Sequence, residues 1–461
     1  MKLSHVDPVR FACFDDPSLV SSAGLVPAVA LAQRAGLAEL ARMQLTVPGG
    51  AGCAAGAKVA ALVAGMVAGA DSITDMDVLR HGGMGRLFCG VRAPSTLGTF
   101  LRAFRFGHVR QLDAVATRFL AGLVEHSPLI TAGAPVTYLD IDDTVRATFG
   151  YAKQGAGYGY TGVKGLNALL GTVSTASSAP VIVATRLPKG SANSARGAAR
   201  LVADAIKTTR GCGVGGLVVL RADSAYYNRD VVAAARRHGV HFSITARQDR
   251  AVTAAIAAVS ADAWTTIRYP RAVFDEQLQQ WVSDAEVAEV PFTAFTSRGQ
   301  AHRVAARLIV QRVRDANPDH VHVNAQGELF PVWRHHAIFT DSPQPMLSAE
   351  ADHRRHAIIE QVIADLKNGP LAHLPSGSFA ANSAWLVLAA IAFNLTRATG
   401  AIASLFHAKA STATIRTQLI NIAARVTRSA RRSTLHLPTD WPWTQAWQQL
   451  FTATIRPPVP A

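Results

Sequence analysis

Two apolar runs of strand length, "VTYLDIDD" (136–143) and "GLVVLRADS" (216–224), both run into aspartate, and this constrains the fold more than anything else in the chain. A buried strand tolerates carboxylates only where it leaves the core. Between and beyond these runs, strand-like and helix-like periods alternate. "NALLGTVSTA" (167–176), "PVIVATRL" (180–187) and "HFSITAR" (241–247) read as strands, and "SARGAARLVADAIKTTR" (194–210) and "DVVAAARRHGV" (230–240) as helices. Such alternation predicts an α/β domain. In open α/β sheets, ligands and catalytic groups collect at strand ends. Asp140, Asp142, Asp143 and Asp223 are therefore the first candidates for chemistry.

A third acid stands in "HRRHAIIEQVIADLKNG" (353–369), where Ile358, Ile359, Val362, Ile363 and Leu366 form the stripe of a core-facing helix. Glu360 lies at the edge of that stripe, with His356 one turn before it and Lys367 two turns after. Alone, this is the pattern of a solvated flank. Beside two strand-end aspartates it is a third carboxylate. Carboxylates on neighbouring strands repel each other. A divalent cation removes that cost, and hard oxygen ligands select Mg²⁺ or Mn²⁺. Two such ions drive in-line attack on phosphodiesters. Competing sites are weak. The four cysteines form no CxxC pair, which fits free thiols in a reducing compartment. "HRRH" (353–356) lacks a second ligand pair. "GCGVGG" (211–216) follows a helix and precedes a strand, the reverse of a dinucleotide fingerprint.

Lys plus Arg number 46 against 31 for Asp plus Glu, a net charge of +15 that favours a polyanionic partner. With 49% hydrophobic residues the 461-residue chain has ample material for a core. Residues 1–130 read as all-helical, with periods near 25–43, 54–69, 75–90, 95–106 and 108–125, Ser95 as an N-cap and Pro94 as the stop before it. A helix-turn-helix reader with Arg102 and Arg105 on its basic helix is one reading of this region; a plain helical bundle is the other. The α/β part spans 131–249. A β-rich insertion carrying Trp264, Trp281 and Trp333 spans 250–345. Helices return over 346–400, and 401–461 is a basic C-terminal region. No secretory h-region is visible at the N-terminus. "AAGAKVAALVAGMVAGA" (54–70) and "AWLVLAAIAFNL" (384–395) read as buried helices, not membrane spans.

The segments "YLDIDDTV", "GYAKQGAGYGYTGVKGLNALL", "VVLRADSAYY", "RLIVQRV" and "HRRHAIIEQVIADLKNGPLAHLPSGSFAANSAWLVLAAIAFNLTR" together resemble the DDE transposases of bacterial insertion sequences, and among them the 1380 group. The resemblance implies an RNase H-like α/β core with a β-strand insertion, preceded by an all-helical DNA-binding domain. It implies catalytic, metal-holding roles for Asp142, Asp223 and Glu360, with Asp140 as the fallback for the first acid, and two Mg²⁺ or Mn²⁺ ions. In the wider superfamily a Tyr and an Arg precede the Glu where His353 and His356 stand here; Glu360 and Lys367 match. The phosphate-holding role of that Arg then falls to His356 or Arg355. Lys153, Lys164, Arg221 and Lys367 are further candidates for phosphate contacts, against ordinary surface charge. The implied partners are double-stranded DNA, at the element ends and the target, and a second copy of the chain in a homodimer, in the bacterial cytoplasm at the nucleoid. A metal nuclease that does not transpose, or a silent DNA-binding regulator, stands as the alternative.

Overall fold

The computed structural model describes residues 10–131, 133–150, 152–159, 161–267, 274–275, 280–281, 285–314, 322–323, 329–330, 333–430 and 432–455. The N-terminal part is helical, as its periodicity predicts: α1 (Leu25–Arg34), α2 (Leu37–Gln44), α3 (Ala55–Ala68), α4 (Pro94–Arg102) and α5 (Phe106–His126). Three details differ from expectation. The period at 25–43 is broken at Gly36, whose φ of +80° no β-carbon-bearing residue adopts cheaply. The expected helix at 75–90 is instead a 3-10 turn, Thr74–Leu79, and a four-residue helix, Met84–Leu87. Gly82 and Gly83 separate the two, and a β-carbon on Gly82 would lie 2.4 Å from the Leu19 carbonyl oxygen. Ser95 is not the N-cap of α4; Ala93 is. Pro94 opens the helix, where its missing N–H leaves nothing unpaired.

The centre of the molecule is a ten-stranded mixed sheet. Its first five long strands are β1 (Val136–Ala147), β2 (Lys164–Ser174), β3 (Val181–Arg186), β4 (Leu217–Ala222) and β5 (His241–Thr245). They lie in the order β3-β2-β1-β4-β5. β1 pairs antiparallel with β2, and β2 with β3, while β1–β4 and β4–β5 are parallel. Parallel neighbours need crossover connections. α6 (Ala198–Gly211) leads into β4, and α7 (Arg229–Arg237) into β5. The β-rich stretch does not stand apart. Its long strands β6 (Ala285–Ala294), β7 (Val304–Arg314) and β8 (Trp333–Thr340) extend the same sheet, because β8 pairs antiparallel with β5, then β7 with β8 and β6 with β7.

After the sheet come α8 (Met346–Arg354), a 3-10 turn over Arg355–Ala357, α9 (Ile358–Lys367) and α10 (Phe379–Ala403). α10 is longer than its sequence pattern indicates, and by length and composition alone it is apolar enough to cross a membrane. It is instead the central pillar of the core, with 89% of its most apolar window buried. It packs on β3 from one side and on α1, α3, α4 and α5 from others. Asn394 meets the backbone of β3 at Ile182, accepting from its N–H at 2.9 Å and donating to its carbonyl at 2.7 Å. One hydrophobic cluster therefore runs from Val20 to Leu450, through the N-terminal helices, the sheet and the C-terminal α11 (Thr444–Ile455). The chain closes on itself as well: the short strand Leu19–Val20 pairs with Ala424–Ser429.

Candidate active site

Side chains alternate across a strand, so residues two apart share a face. Asp140 and Asp142 therefore share one face of β1, and Arg221 and Asp223 share the same side of β4. The parallel register sets Asp140 opposite Arg221 and Ile141 opposite Ala222. One step further, Asp142 stands beside Asp223, where pairing between the two strands ends. The acids expected at the end of a strand thus lie partway along β1, which continues to Ala147 against β2. What ends at Asp142 is the parallel ladder to β4. Two rows result: a buried ion pair below, and a pair of aspartates above it at the ladder's open end.

The lower row is closed. Arg221 donates from Nε to Asp140 Oδ1 and from Nη2 to Asp140 Oδ2, both at 2.7 Å. Its Nη1 donates to the Asp352 carbonyl, and its guanidinium lies 4.1 Å from the Tyr138 ring centroid. Asp140 is 0% and Arg221 1% exposed. This overturns one expectation: Arg221 is not placed to hold a phosphate, because it is buried and its three nitrogens are all engaged inside the protein. The two candidates for the first acid also differ in their surroundings. Asp140 is engaged in a structural pair, and Asp142 is the one beside Asp223.

The upper row is electrostatically unsettled. Burial pushes the Asp142 carboxyl up to about 6, and the neighbouring Asp223 charge adds to this; the Asp143 N–H, donated to Asp142 Oδ1 at 2.7 Å, and His356 offset part of it. Burial raises Asp223 too, although its carboxylate caps the turn that follows β4 by accepting from the Ala225 N–H at 2.9 Å. Asp143 points elsewhere. It accepts from the Tyr226 hydroxyl at 2.9 Å and from Asn167, so it is a buried anchor between β1, β2 and the turn after Asp223.

The helical side of the site is built by the α8–α9 segment. His353 is buried, with Nδ1 2.9 Å from Ser243 Oγ and Nε2 3.0 Å from Thr245 Oγ1 on β5. Burial lowers its pKa to about 3, so it is a neutral ring joining two hydroxyls. Asp352 accepts from Tyr138, from Gln344 at 2.7 Å and from Arg355 at 2.8 Å. His356 Nδ1 lies 3.1 Å from Asp140 Oδ1, and its charge bears on both Asp142 and Asp223. Glu360 follows one turn later. It is exposed, in the first turn of α9, where a carboxylate suits the helix dipole. Of the expected apolar stripe, Ile359, Val362, Ile363 and Leu366 are buried, while Ile358 is only half-buried. Among the described residues, no three His, Cys, Asp or Glu side chains are already gathered as a metal-holding set.

The remaining basic candidates divide by environment. Lys153 donates to the Leu374 carbonyl at 2.8 Å. Lys164 opens β2 and Lys367 closes α9, both half-buried. Arg355 is exposed but tied to Asp352. Arg102 ends α4 and Arg105 caps α5, both exposed at the tight turn between those helices. Trp264 and Trp333 flank the Arg312 guanidinium, 4.0 and 4.5 Å from the ring centroids, so each has a face committed within the sheet. The side chain of Trp281 lies outside the described residues. Reading acids singly along the sequence misses the Asp140–Arg221 pair. Its signal is nonetheless present: "DID" and "RAD" are both two-residue spacings, which place one structural and one open side chain on a common face.

A family model described as "Transposase DDE domain group 1" matches residues 7–457. No curated protein matches the chain.

Proposed function

Because the chain belongs to this transposase DDE domain family, we propose that it is the transposase of a bacterial insertion sequence of the 1380 group, cutting DNA at terminal inverted repeats and joining the ends to a target. The observation that carries the reading is the register that sets Asp142 beside Asp223 at the open end of a parallel ladder. The strand order β3-β2-β1-β4-β5, three antiparallel and two parallel, agrees with an RNase H-like core. The division into a helical DNA-binding part, a two-piece core and an inserted β-region belongs to the same proposal.

The donor set fits a divalent cation. Asp142 and Asp223 are hard oxygen ligands whose charges the protein desolvates and leaves in mutual repulsion. Glu360, one turn beyond His356 on α9, supplies the third carboxylate. When bound, two Mg²⁺ or Mn²⁺ ions activate the attacking oxygen and stabilise the leaving 3′-oxygen. The chain's own part is to hold the acids at fixed spacing on rigid strands and to grip DNA. Lys367, Lys164, Lys153 and Arg355 border the core as phosphate contacts. Arg102 and Arg105 contact DNA from the α4–α5 turn. Two copies of the chain would bring two ends together, in the bacterial cytoplasm at the nucleoid.

The test uses the full chain and a labelled end-bearing oligonucleotide. Asp142→Asn, Asp223→Asn and Glu360→Gln should each reduce Mg²⁺-dependent nicking by at least about a thousandfold, a loss of roughly 4 kcal/mol of transition-state stabilisation. Gel shifts should be retained, since phosphate contacts come from basic groups. Nicking at wild-type rate by Glu360→Gln would return that residue to a solvated flank. Strand joining into a target plasmid separates a transposase from a nuclease that only cuts.

A further inference from the structure

His356 stands where the resemblance leads one to expect a phosphate-holding side chain, but its surroundings suit another task. Its side chain is only 15% exposed, and Nδ1 is 3.1 Å from Asp140 Oδ1. A carboxylate accepts, so Nδ1 carries the proton and donates. The same Asp140 oxygen also accepts from Arg221 Nε at 2.7 Å. Arg221 in turn reaches the Asp352 carbonyl near the end of α8. The buried pair thus holds the polypeptide at two points, at Asp352 before the 3-10 turn and at His356 within it. The 3-10 turn runs directly into α9 at Ile358. Fixing His356 therefore fixes the first turn of α9, where Glu360 sits. The strands beneath are the ones that carry Asp142 and Asp223, two residues beyond Asp140 and Arg221.

We propose that His356 is a positioning residue: locked by the Asp140–Arg221 pair, it sets Glu360 against Asp142 and Asp223, and takes no part in holding DNA phosphates. The inference rests on the proposed three-carboxylate site. A link of this kind matters because the third ligand comes from a helix and the other two from strands. A shift of about 1 Å between the layers spoils a metal-binding geometry. Groups that orient ligands without touching the metal change affinity by about 10–100-fold when removed.

The probe is Mn²⁺ alone, titrated into the full-length, DNA-free protein and followed by electron paramagnetic resonance of the free ion. His356→Ala should weaken Mn²⁺ binding about 10–100-fold. It should also raise the Mn²⁺ concentration needed for half-maximal nicking, leaving end binding and its salt dependence unchanged. His356→Asn, whose amide nitrogen takes the place of Nδ1 and still donates to Asp140, should restore affinity to within a few-fold. His356→Gln, whose amide sits further out, should not. If His356→Ala does not fold, the Asn and Gln variants carry the comparison. Unchanged Mn²⁺ affinity in His356→Ala, or in His356→Gln, overturns the inference. So does a fall of about one in the salt slope of DNA binding, which marks a lost phosphate contact. Asp142→Asn and Glu360→Gln are run beside them. If these two bind Mn²⁺ as the wild type does, the three-carboxylate site itself is wrong. If they lose Mn²⁺ and the His356 variants do not, only the positioning role fails.

Discussion

Replacing Asp142 with asparagine should make the metal-free protein more stable, in the same variant that the proposed site expects to lose DNA cleavage. The carboxyl titrates near 6 in the fold, against a reference value of 3.8. A raised carboxyl pKa means that the native state binds the proton more tightly than the unfolded chain does. Stability is then lost as pH rises from about 4 to about 6, and the full cost of the buried charge persists above that. At about 1.36 kcal/mol per pKa unit, a shift of about two units amounts to roughly 3 kcal/mol, an upper bound because the group is partly solvated. Asparagine keeps an oxygen for the Asp143 N–H and relieves Asp223 of its neighbour's charge. For a chain of this length, 3 kcal/mol corresponds to about 3 °C in melting temperature. Scanning calorimetry in EDTA should find the variant melting above wild type at pH 8 and level with it at pH 4. Adding Mn²⁺ should raise the wild type and leave the variant unmoved. A variant that melts below wild type at pH 8 without metal, or a difference that is the same at both pH values, would refute the electrostatic account.

Asp140→Asn leaves Arg221 buried without its charge partner, and denaturant unfolding should register a loss of about 3–5 kcal/mol; Asp140→Leu combined with Arg221→Met should recover much of it. Read from sequence, Asp140 is the fallback for the first acid; its burial against Arg221 makes it a costly position to change. Arg102→Ala with Arg105→Ala in the full chain should lower the salt slope of end binding by about two, and an unaltered slope would take the α4–α5 turn out of the DNA interface. Trp264→Ala should cost up to about 2 kcal/mol of stability through its lost stacking on Arg312, with end processing per folded molecule unchanged; a selective loss of processing would instead indicate a ring that stacks on a DNA base.

The parts of this fold that were legible in the sequence are those set by period and by punctuation. Strands with runs such as "LVVL" and helices with stripes such as Ile359/Val362/Ile363/Leu366 lie where their patterns put them, because burial of those side chains drives their formation. The single period expected over 25–43 broke at Gly36, and the run over 75–90 failed as a helix. Its apolar spacing was real, yet Gly82 must pass close to the Leu19 carbonyl, and that contact comes from a segment far away in sequence. The long strands of the β-rich stretch were visible, but their joining to β5 was not, since strand partnership is a long-range choice. At the site, the candidate acids could be named individually. Their division into a closed row and an open row needed the register, and so did the reassignment of Arg221 from the surface to the core.

The closure of the chain ends has a consequence for synthesis. Leu19–Val20 forms its strand only against residues 424–425, and α1 packs on α10 and α11. At about 5–20 residues per second a ribosome needs tens of seconds to supply those partners after the first helices emerge. Until then the N-terminal helices can bury apolar surface only against one another, and the faces that meet α10 and α11 stay exposed. A nascent or prematurely terminated product should therefore be a target for chaperones and proteases, not a competitor for the DNA sites of the finished protein.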